Sequence, residues 1–278
     1  MSSSLRTALL VLLAAPLVAC RTGSNYVSPI GPRYAGAPPR PARVPTDTLR
    51  VVSFNVEFSM HVDRAIALLT SEPGLRDADV VLLQEMSETA VRRIAESLGV
   101  GYVYYPAIHH RRTRRLFGNA VLSRWPIVDD AKLMLPHASR YAGTQRIATA
   151  ATLQVGPTRV RVYSAHLGTP LDVGASARRD QLRAVLADAA AYERVIIGGD
   201  MNDGRVGAVA AAAGYAWPTA HGPRTTRLGR WDHIFLRGLT PPDTRAAGTV
   251  LDARQASDHR PVWAVALLGE IHRRASLR

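Results

Sequence analysis

The feature that most constrains this sequence is a set of apolar, strand-like runs that each end near an acid, an amide or a histidine. The run VIIGGDMND, from Val195 to Asp203, is apolar up to two glycines and then presents Asp200 and Asn202 side by side. Gly, Asn and Asp are common turn residues, so a plain turn is one interpretation. The same arrangement recurs in the runs SFNVE, VLLQE, VYSAHL, WDHIF and SDHRPV. Turn chemistry alone does not require this regularity, which is typical of polar side chains collected at strand ends.

Helix-like segments alternate with these runs. HVDRAIALLTS and SETAVRRIAESLG are amphipathic, and Ser87 is placed to cap the second. A long helix is predicted from about Ala175 to Tyr192, and the pair Gly156 and Pro157 separates two strand-like runs as in a hairpin. Strands joined both directly and through helices predict a mixed sheet arrangement in an α/β domain, with helices on the outer faces. A chain of 278 residues fits one large domain of this kind.

The amino-terminal segment has the anatomy of an export signal. Arg6 precedes an apolar run that ends with LVAC at Cys20, the single cysteine of the chain. LVAC resembles the lipobox of bacterial lipoproteins, whose cysteine is lipidated. We therefore expect an exported envelope protein that is anchored to the membrane through Cys20, in the outer membrane if the cell has one. An unlipidated, secreted form is the alternative.

Composition divides the rest of the chain. We expect a signal peptide over 1–19, a lipidated cysteine and a Pro/Gly-rich linker over 20–48, a folded domain over 49–268 and a basic tail over 269–278. The linker is expected to act as a tether that holds the domain off the membrane. We expect the protein to be a monomer.

The chain is strongly basic, with a formal net charge of +13. A basic surface favours anionic partners such as nucleic acid or acidic lipid. Because Lys132 is the sole lysine and arginine is abundant, a GC-rich genome explains the charge equally well. The arginine-rich segment HHRRTRRLFGNA, residues 109–120, is interpreted either as a phosphate-binding loop or as a solvated loop.

The polar residues at the run ends have the chemistry of a phosphate-ester hydrolase. Hard oxygen ligands such as Glu85, Asp200 and Asp258 suit Mg²⁺, with Mn²⁺ as a possible substitute. The histidines beside carboxylates can exchange protons near neutral pH. The single cysteine, and the absence of a His-Glu-x-x-His sequence, do not favour a zinc site of the structural or protease type.

Taken in order, SFNVE, LLQE, GNAVLSR, YSAHL, GGDMND, WDHIF and SDHRPV resemble the motifs of the endonuclease/exonuclease/phosphatase superfamily. The resemblance extends from Leu49 to about Leu268. It implies a four-layer α/β sandwich, in which two packed mixed β-sheets are flanked by helices. It also implies a metal-dependent phosphoesterase.

The resemblance assigns roles residue by residue. The implied metal-side residues are Asn55, Glu85 and Asp258. The implied catalytic residues are His166 at the phosphate or leaving group, Asp200 and Asn202 on the attacking water, His259 as the catalytic histidine and Asp232 as the acid that holds it. Arg146 and Asn119 are implied to contact substrate phosphate, although a surface salt bridge and turn geometry explain these two equally well.

Four neighbouring residues have local interpretations. His233 is expected to be structural, and Asp203 is expected to cap a helix that begins near Arg205. Gly198 and Gly199 are expected to let the backbone leave the sheet.

The leading hypothesis is a Mg²⁺-dependent phosphodiesterase or nuclease that acts on nucleic acid. The alternative is a sphingomyelinase-like phospholipase C, or another phosphoesterase of a lipid or sugar phosphate. A catalytically idle lipoprotein that only binds at the envelope is a third hypothesis, and the intact motif set disfavours it.

Overall fold

The computed structural model describes residues 23–37, 47–111 and 114–269. The predicted signal peptide, Cys20 and nearly all of the predicted basic tail lie outside these residues. Within the described part of the chain, no helix has the length and hydropathy that a bilayer-spanning segment needs.

Thirteen strands and four α-helices make up the described fold. In chain order they are β1 (Gly23–Asn25), β2 (Tyr34–Gly36), β3 (Thr48–Asn55), α1 (Val62–Ser71), β4 (Val80–Met86), α2 (Glu88–Leu98), β5 (Gly101–His110), β6 (Arg115–Ser123), β7 (Ile127–Met134), β8 (Ile147–Val155), β9 (Thr158–His166), α3 (Ala175–Ala189), β10 (Val195–Asp200), α4 (Gly207–Ala212), β11 (Asp232–Arg237), β12 (Ala247–Thr249) and β13 (Val262–Leu267).

The strands form two mixed sheets. The eight-stranded sheet has the order β1-β5-β6-β4-β3-β13-β12, with β2 also paired to β5, and the five-stranded sheet has the order β11-β10-β9-β8-β7. Each sheet contains one parallel pair, β3 with β4 and β9 with β10, and each of these pairs is connected through a helix. The sheets pack face to face with helices outside, which confirms the predicted four-layer α/β sandwich.

The alternation of side chains along the strands builds three apolar layers. Val51 and Leu82 point between the sheets, where they join Val162 and Ile196 in one buried cluster. Their sequence neighbours point outwards against the helices, α1 and α2 on the larger sheet and α3 and α4 on the smaller one. Because side chains alternate along a strand, a strand buried on both faces is apolar throughout. Each fully buried aliphatic side chain contributes about 1.5–3 kcal/mol of transfer free energy.

Gly198 and Gly199 do not lead the chain out of the sheet, contrary to expectation. Both lie inside β10, paired with β9 and with β11. A Cβ atom on Gly198 would come within 2.6 Å of Leu82 in the facing sheet, and one on Gly199 would overlap the carbonyl oxygen of Ala165 on β9. The glycines therefore permit close packing of the sheets and strands directly beside Asp200.

Two segments of the predicted 20–48 linker belong to the folded domain instead of forming a free tether. Strands β1 and β2 both pair with β5. Between them, Arg33 forms two hydrogen bonds of 2.7 and 2.6 Å to Asp130, and Lys132 donates to two main-chain carbonyls of this segment. Main-chain pairing needs no apolar periodicity, which is why the sequence did not indicate it. We call residues 23–36 the N-terminal strap.

The arginine-rich segment is a hairpin and not a loop. His109 and His110 end β5, and Arg115 begins β6, so among the described residues of the segment only Arg111 and Arg114 lie outside the two strands. Pro106, which cannot donate a main-chain hydrogen bond, lies within β5 where the pairing with β6 is irregular.

The helix predicted near Arg205 begins at Gly207. Asp203 accepts a hydrogen bond from the main-chain N–H of Arg205 at 2.8 Å and forms an ion pair with Arg178, so it closes a turn before the helix rather than capping it.

Candidate active site

The polar ends of β9, β10 and β11 form a continuous row at one edge of the smaller sheet. Asp200 is the register partner of His166 on one side and of Asp232 on the other. All three side chains are buried, and His166 Nε2 lies 3.4 Å from Asp200 Oδ2. Parallel β9 and β10 end at the same edge, while antiparallel β11 begins there. The fold thus brings together residues that are far apart in the sequence.

Asn55 and Glu85 come from the facing sheet and complete this centre. The Asn55 amide donates to Glu85 Oε1 at 3.2 Å and to Asp200 Oδ2 at 3.1 Å, so one side chain links the two sheets. Regular alternation would turn Glu85 outwards with Leu83. A bulge between Leu83 and Met86, with Glu85 at a φ of 60°, reorients the carboxylate towards the centre.

His259 lies in the segment before β13 and is held by an acid. Its Nδ1 is 2.9 Å from Asp232 Oδ2, and its Nε2 is 3.6 Å from Asp200 Oδ2. Ser257, which the sequence analysis did not single out, ties this segment to β3. Its hydroxyl donates to the main-chain carbonyl of Asn55 at 2.7 Å and accepts from the His259 N–H at 3.0 Å.

Thr225 supports Asp232, the acid that holds His259. Its hydroxyl accepts from the main-chain N–H groups of Trp231 and Asp232, and its carbonyl accepts from Arg260 N–H at 2.8 Å. The segment around Thr225 has no periodic pattern, so nothing in the sequence identified it. Ser257, by contrast, lies in the SDHRPV motif directly before Asp258 and His259, so the sequence did contain a signal that could have identified it.

Burial and charge set the protonation of the centre. Burial raises the pKa of Asp200 to about 7, and the nearby Asp232 carboxylate adds to the rise although His259 opposes it. Burial favours neutral His259, but Asp232 and Asp200 outweigh it and raise the pKa of that imidazole to about 10. The pKa of His166 is lowered well below 6.5 by burial, by Arg146 and by His259. At neutral pH the centre thus contains one imidazolium, one neutral imidazole and a carboxyl poised to exchange a proton.

Arg146 provides a cation beside the row. Its Nη1 lies 3.1 and 3.2 Å from the two ring nitrogens of His166, and its guanidinium lies over the Phe117 ring at 5.6 Å. A second nitrogen of Arg146 is 3.7 Å from Asp172. The side chain is therefore held in place by a ring, an imidazole and an acid.

This arrangement agrees with the comparison of the sequence with family models. The model of the Endonuclease/Exonuclease/phosphatase family matches residues 52–259, which span all of these groups. The chain belongs to the endonuclease/exonuclease/phosphatase family. Members of this family are hydrolytic phosphoesterases that depend on a divalent metal.

Solved structures of this family share the fold. One is an endonuclease/exonuclease/phosphatase from Beutenbergia cavernae, with 22% identity and a TM-score of 0.62, over 80% of this chain and 72% of that one. TDP2 from D. rerio, complexed with a single-strand DNA product, has 21% identity and a TM-score of 0.63 over 80% of this chain and 99% of that one. Sphingomyelinase C from Streptomyces griseocarneus has 19% identity and a TM-score of 0.60 over 80% of this chain and 99% of that one. No curated protein matches the chain.

Two asparagines suggested by the family motifs lie in different places, Asn202 beside Asp200 and Asn119 between the two sheets. The Asn202 amide donates to Leu167 O at 3.0 Å, and its N–H donates to Asp200 Oδ1 at 2.9 Å, so Asn202 fixes the Asp200 carboxylate. Asn119 lies inside β6, where its amide donates to the carbonyls of Ile147 and Ser164 between the sheets. The side-chain nitrogen of Asn119 thus already donates to two main-chain carbonyls. A contact between Asn119 and substrate phosphate stays a prediction.

His233 lies behind the row and is fully buried. Its Nδ1 accepts from Trp217 Nε1 at 3.2 Å, and its Nε2 is 3.3 Å from Asp203 O. Burial lowers the pKa of His233 to about 4. These contacts hold a neutral imidazole in the packing beneath the site.

Two acidic groups of the family site can be compared as metal ligands. Among the described residues, the potential ligand atoms of Asp200, Asp232 and His259 lie within 4.8 Å of one another. Those of Asp232 and His259 are already joined by a 2.9 Å hydrogen bond. The other group is Glu85 with Asp258, whose N–H donates to Glu57 Oε2 at 3.1 Å and whose carboxylate helps to raise the pKa of Glu85.

This second group fits a divalent cation. Its donors are hard carboxylate oxygens, the type that Mg²⁺ prefers. Burial raises the pKa of Glu85 even though Arg146 and Asn55 oppose the shift, so these partners do not fully replace the hydration that the charged carboxylate loses. A bound divalent metal would stabilise the charged carboxylate.

We call the polar residues at this edge of the two sheets the catalytic floor; Glu85 is partly exposed and the others are buried. They are Asn55, Glu85, His166, Asp200, Asn202, Asp232 and His259. Beside the catalytic floor is a cavity of about 210 Å³, which we call the rim pocket. The rim pocket is lined by Phe58, Ile108, His110, Phe117, Ala142, Thr144, Gln145, Arg146 and Asp172.

Proposed function

We propose that the protein is a Mg²⁺-dependent phosphodiesterase that hydrolyses nucleic acid. The observation that carries the proposal is the catalytic floor, in which Asp200 lies between the neutral His166 and the His259–Asp232 pair. Phosphate-ester hydrolysis needs an activated water and donors for the charge that develops on phosphorus. The floor offers a carboxylate that can accept a proton from water, with an imidazole nitrogen of His166 and of His259 within 3.4 and 3.6 Å of it.

Each protein group has a defined task in this reaction. Water attacks phosphorus, its proton passes to Asp200, and the bond from phosphorus to the leaving oxygen breaks. Asp200 suits this role because its pKa of about 7 is close to neutral pH. His259 is protonated at this pH, so it can stabilise the charged transition state and supply the proton that the leaving oxygen takes up. Asn202 holds the base in place.

His166 and Arg146 bind the phosphate. Neutral His166 can donate one hydrogen bond, and Arg146 can donate two in a planar clamp. Glu85, Asn55 and Asp258 would hold Mg²⁺, whose contribution when bound is to neutralise phosphate charge.

Charge favours nucleic acid among the possible phosphodiesters. Beside the rim pocket, the β5–β6 hairpin carries Arg111, Arg114 and Arg115 next to His110. Cations at this place can contact the phosphates that flank the one being cleaved, which would make activity sensitive to salt.

A second candidate substrate is a lipid phosphodiester, as for a sphingomyelinase-like phospholipase C. Tyr141 and Leu171 are 71% and 84% exposed, and each is adjacent in sequence to a residue of the rim pocket. Exposed apolar side chains at a site mouth suit a lipid surface. Anchoring through Cys20 in the cell envelope, which we also propose, would place either substrate class within reach.

A substrate panel tests the proposal. Purified protein is incubated with plasmid DNA, RNA, sphingomyelin and phosphoinositides, each with Mg²⁺ or Mn²⁺. We expect cleavage of DNA or RNA to be fastest. Turnover of sphingomyelin or a phosphoinositide alone would contradict nucleic acid as the substrate, and no turnover of any of them would favour the catalytically idle lipoprotein.

A further inference from the structure

The rim pocket is directly connected to the catalytic floor. Arg146 lines the pocket and also contacts His166, and the Phe117 ring lies 5.9 Å from the His166 ring. A group bound in the pocket would therefore lie next to a phosphate held by Arg146. The pocket is thus a candidate subsite for the part of the substrate beside that phosphate.

Aromatic rings form one side of this subsite. The Phe58 ring lies 5.2 Å from that of Phe117 and 5.6 Å from that of His110. Phe58 is held in a run of left-handed residues from Glu57 to Ser59, and its N–H donates to Glu85 Oε2 at 3.2 Å. Its side chain is still 39% exposed. The backbone at Phe58 is thus fixed to the catalytic floor while the ring stays available to a ligand.

Polar groups form the opposite side. Thr144, Gln145 and Asp172 line the pocket together with Arg146. An alkyl chain in this space would cover the Arg146–Asp172 ion pair without replacing its hydration, which is unfavourable. A nucleobase has apolar faces for the rings and a polar edge for these groups.

The size of the cavity suits a single base. Its volume of about 210 Å³ is below the roughly 300–1,000 Å³ of pockets that enclose a drug-sized ligand. A base inside a duplex is stacked on both faces, so it has to leave the stack before it can lie against Phe58.

We propose that the rim pocket binds the nucleobase next to the scissile phosphate, with Phe58 as its stacking surface. The inference rests on the proposed nuclease function and adds a substrate preference to it. Single strands and frayed ends supply such a base without the cost of unstacking a duplex. The enzyme therefore cleaves unpaired nucleic acid faster than duplex.

The test uses two oligothymidylates with the same backbone charge. One is uninterrupted, and the other carries a single abasic residue at its centre. Cleavage is measured separately at each phosphodiester bond. The readout is a ratio of two kcat/KM values. The first is for the central bonds of the uninterrupted strand, and the second is for the bonds that flank the abasic residue. The variants are Phe58→Ala and Phe58→Trp. The control is Val128→Ala, because Val128 is 49% exposed and lines a separate cavity with Arg159 and Glu193.

We expect Phe58→Ala to lower this ratio by about 5- to 150-fold, the equivalent of about 1–3 kcal/mol for one stacked base. Phe58→Trp is expected to restore it, and Val128→Ala to leave it as in the wild type. Thermal unfolding of each variant checks the fold.

The two proposals fail in different ways. An unaltered ratio in Phe58→Ala, with the wild type cleaving both strands, would overturn the base subsite alone. A wild type that cleaves neither strand nor RNA but hydrolyses sphingomyelin or a phosphoinositide would overturn the nuclease function, and the subsite with it.

Discussion

The catalytic floor and the rim pocket lie side by side and meet at Arg146, yet different parts of the fold build them. Residues of the floor stand at or next to strand ends, all but the partly exposed Glu85 are buried, and Asn55 links the two sheets. The rim comes from hairpins and turns and depends on the N-terminal strap. Asn25 of the strap donates to Gly143 O at 2.8 Å and accepts from Gln145 N–H at 2.9 Å, while β1 pairs with Ile108–His110 on the other wall.

This difference suggests that the floor carries out the reaction and that the rim determines which substrate binds. The floor side chains contact one another, so replacing one of them disturbs the reaction itself. The rim can vary more because several of its residues, such as Thr144, Gln145 and Asp172, lie in loops. Variants of the floor should therefore affect turnover of every substrate, and variants of the rim should change which substrate is preferred.

Replacing Asp200 should have the largest effect. Asp200→Asn removes the proton acceptor while keeping the shape, and we expect kcat to fall by about 10²- to 10⁴-fold on every substrate. Asp203→Asn is the matched control, since Asp203 lies nearby but pairs with Arg178. Steady-state kinetics of both variants, with circular dichroism, decide the matter. Equal losses in the two would show that the effect is not specific to the floor.

Metal binding should depend on Glu85. We expect Glu85→Gln to weaken Mn²⁺ affinity by more than about 100-fold in calorimetric titration, because a ligand should matter more than the outer partners that give 10- to 100-fold. Glu88→Gln, on the surface of α2, is the control. Wild-type Mn²⁺ affinity in Glu85→Gln would mean that the metal binds elsewhere, with the Asp200, Asp232 and His259 group as the next choice.

The packing behind the floor should make stability depend on pH. His233 has a folded pKa of about 4 against an ordinary value of 6.5, so the unfolded chain binds a proton first as pH falls. We expect His233 to cost up to about 3 kcal/mol of unfolding free energy between pH 6.5 and pH 4, with no cost above pH 7. Urea unfolding of the wild type and His233→Gln checks this. The same pH slope in both proteins would rule out His233 as the source.

Loosening the strap should have the smallest effect. Asn25→Ala removes two hydrogen bonds from the rim wall, and we expect KM for single-stranded DNA to rise by about 3- to 10-fold while kcat stays within a factor of two. Ser24→Ala, at the exposed neighbouring position, is the control. A fall in kcat with unchanged KM would show that the strap supports the floor and not the rim.

The contrast also explains what the sequence could predict. Floor residues lie directly before or after apolar runs, so the local pattern pointed to Asp200, His166 and Asp232, and the two predicted sheets are confirmed. The orientation of Glu85 depends on a bulge that has no sequence signal of its own. The close approach at Gly198 and Gly199 depends on the facing sheet, so a pattern within one strand suggested a turn there instead.

The rim was largely beyond prediction. Strap pairing uses main-chain groups, which every residue has, and the Pro/Gly-rich composition indicated a linker. The edge strand β7 reads IVDDAKLM, and its polar residues conceal the strand pattern. The aromatic cluster joins Phe58 with residues of the β5–β6 hairpin, and no sequence spacing indicates that contact.

The most direct test of the central claim is the rate of single-stranded DNA cleavage by the wild-type protein as Mg²⁺ is removed and returned. We predict that excess EDTA abolishes cleavage and that adding Mg²⁺ restores the full rate. Cleavage that continues at the full rate in excess EDTA would contradict a metal-dependent catalytic floor.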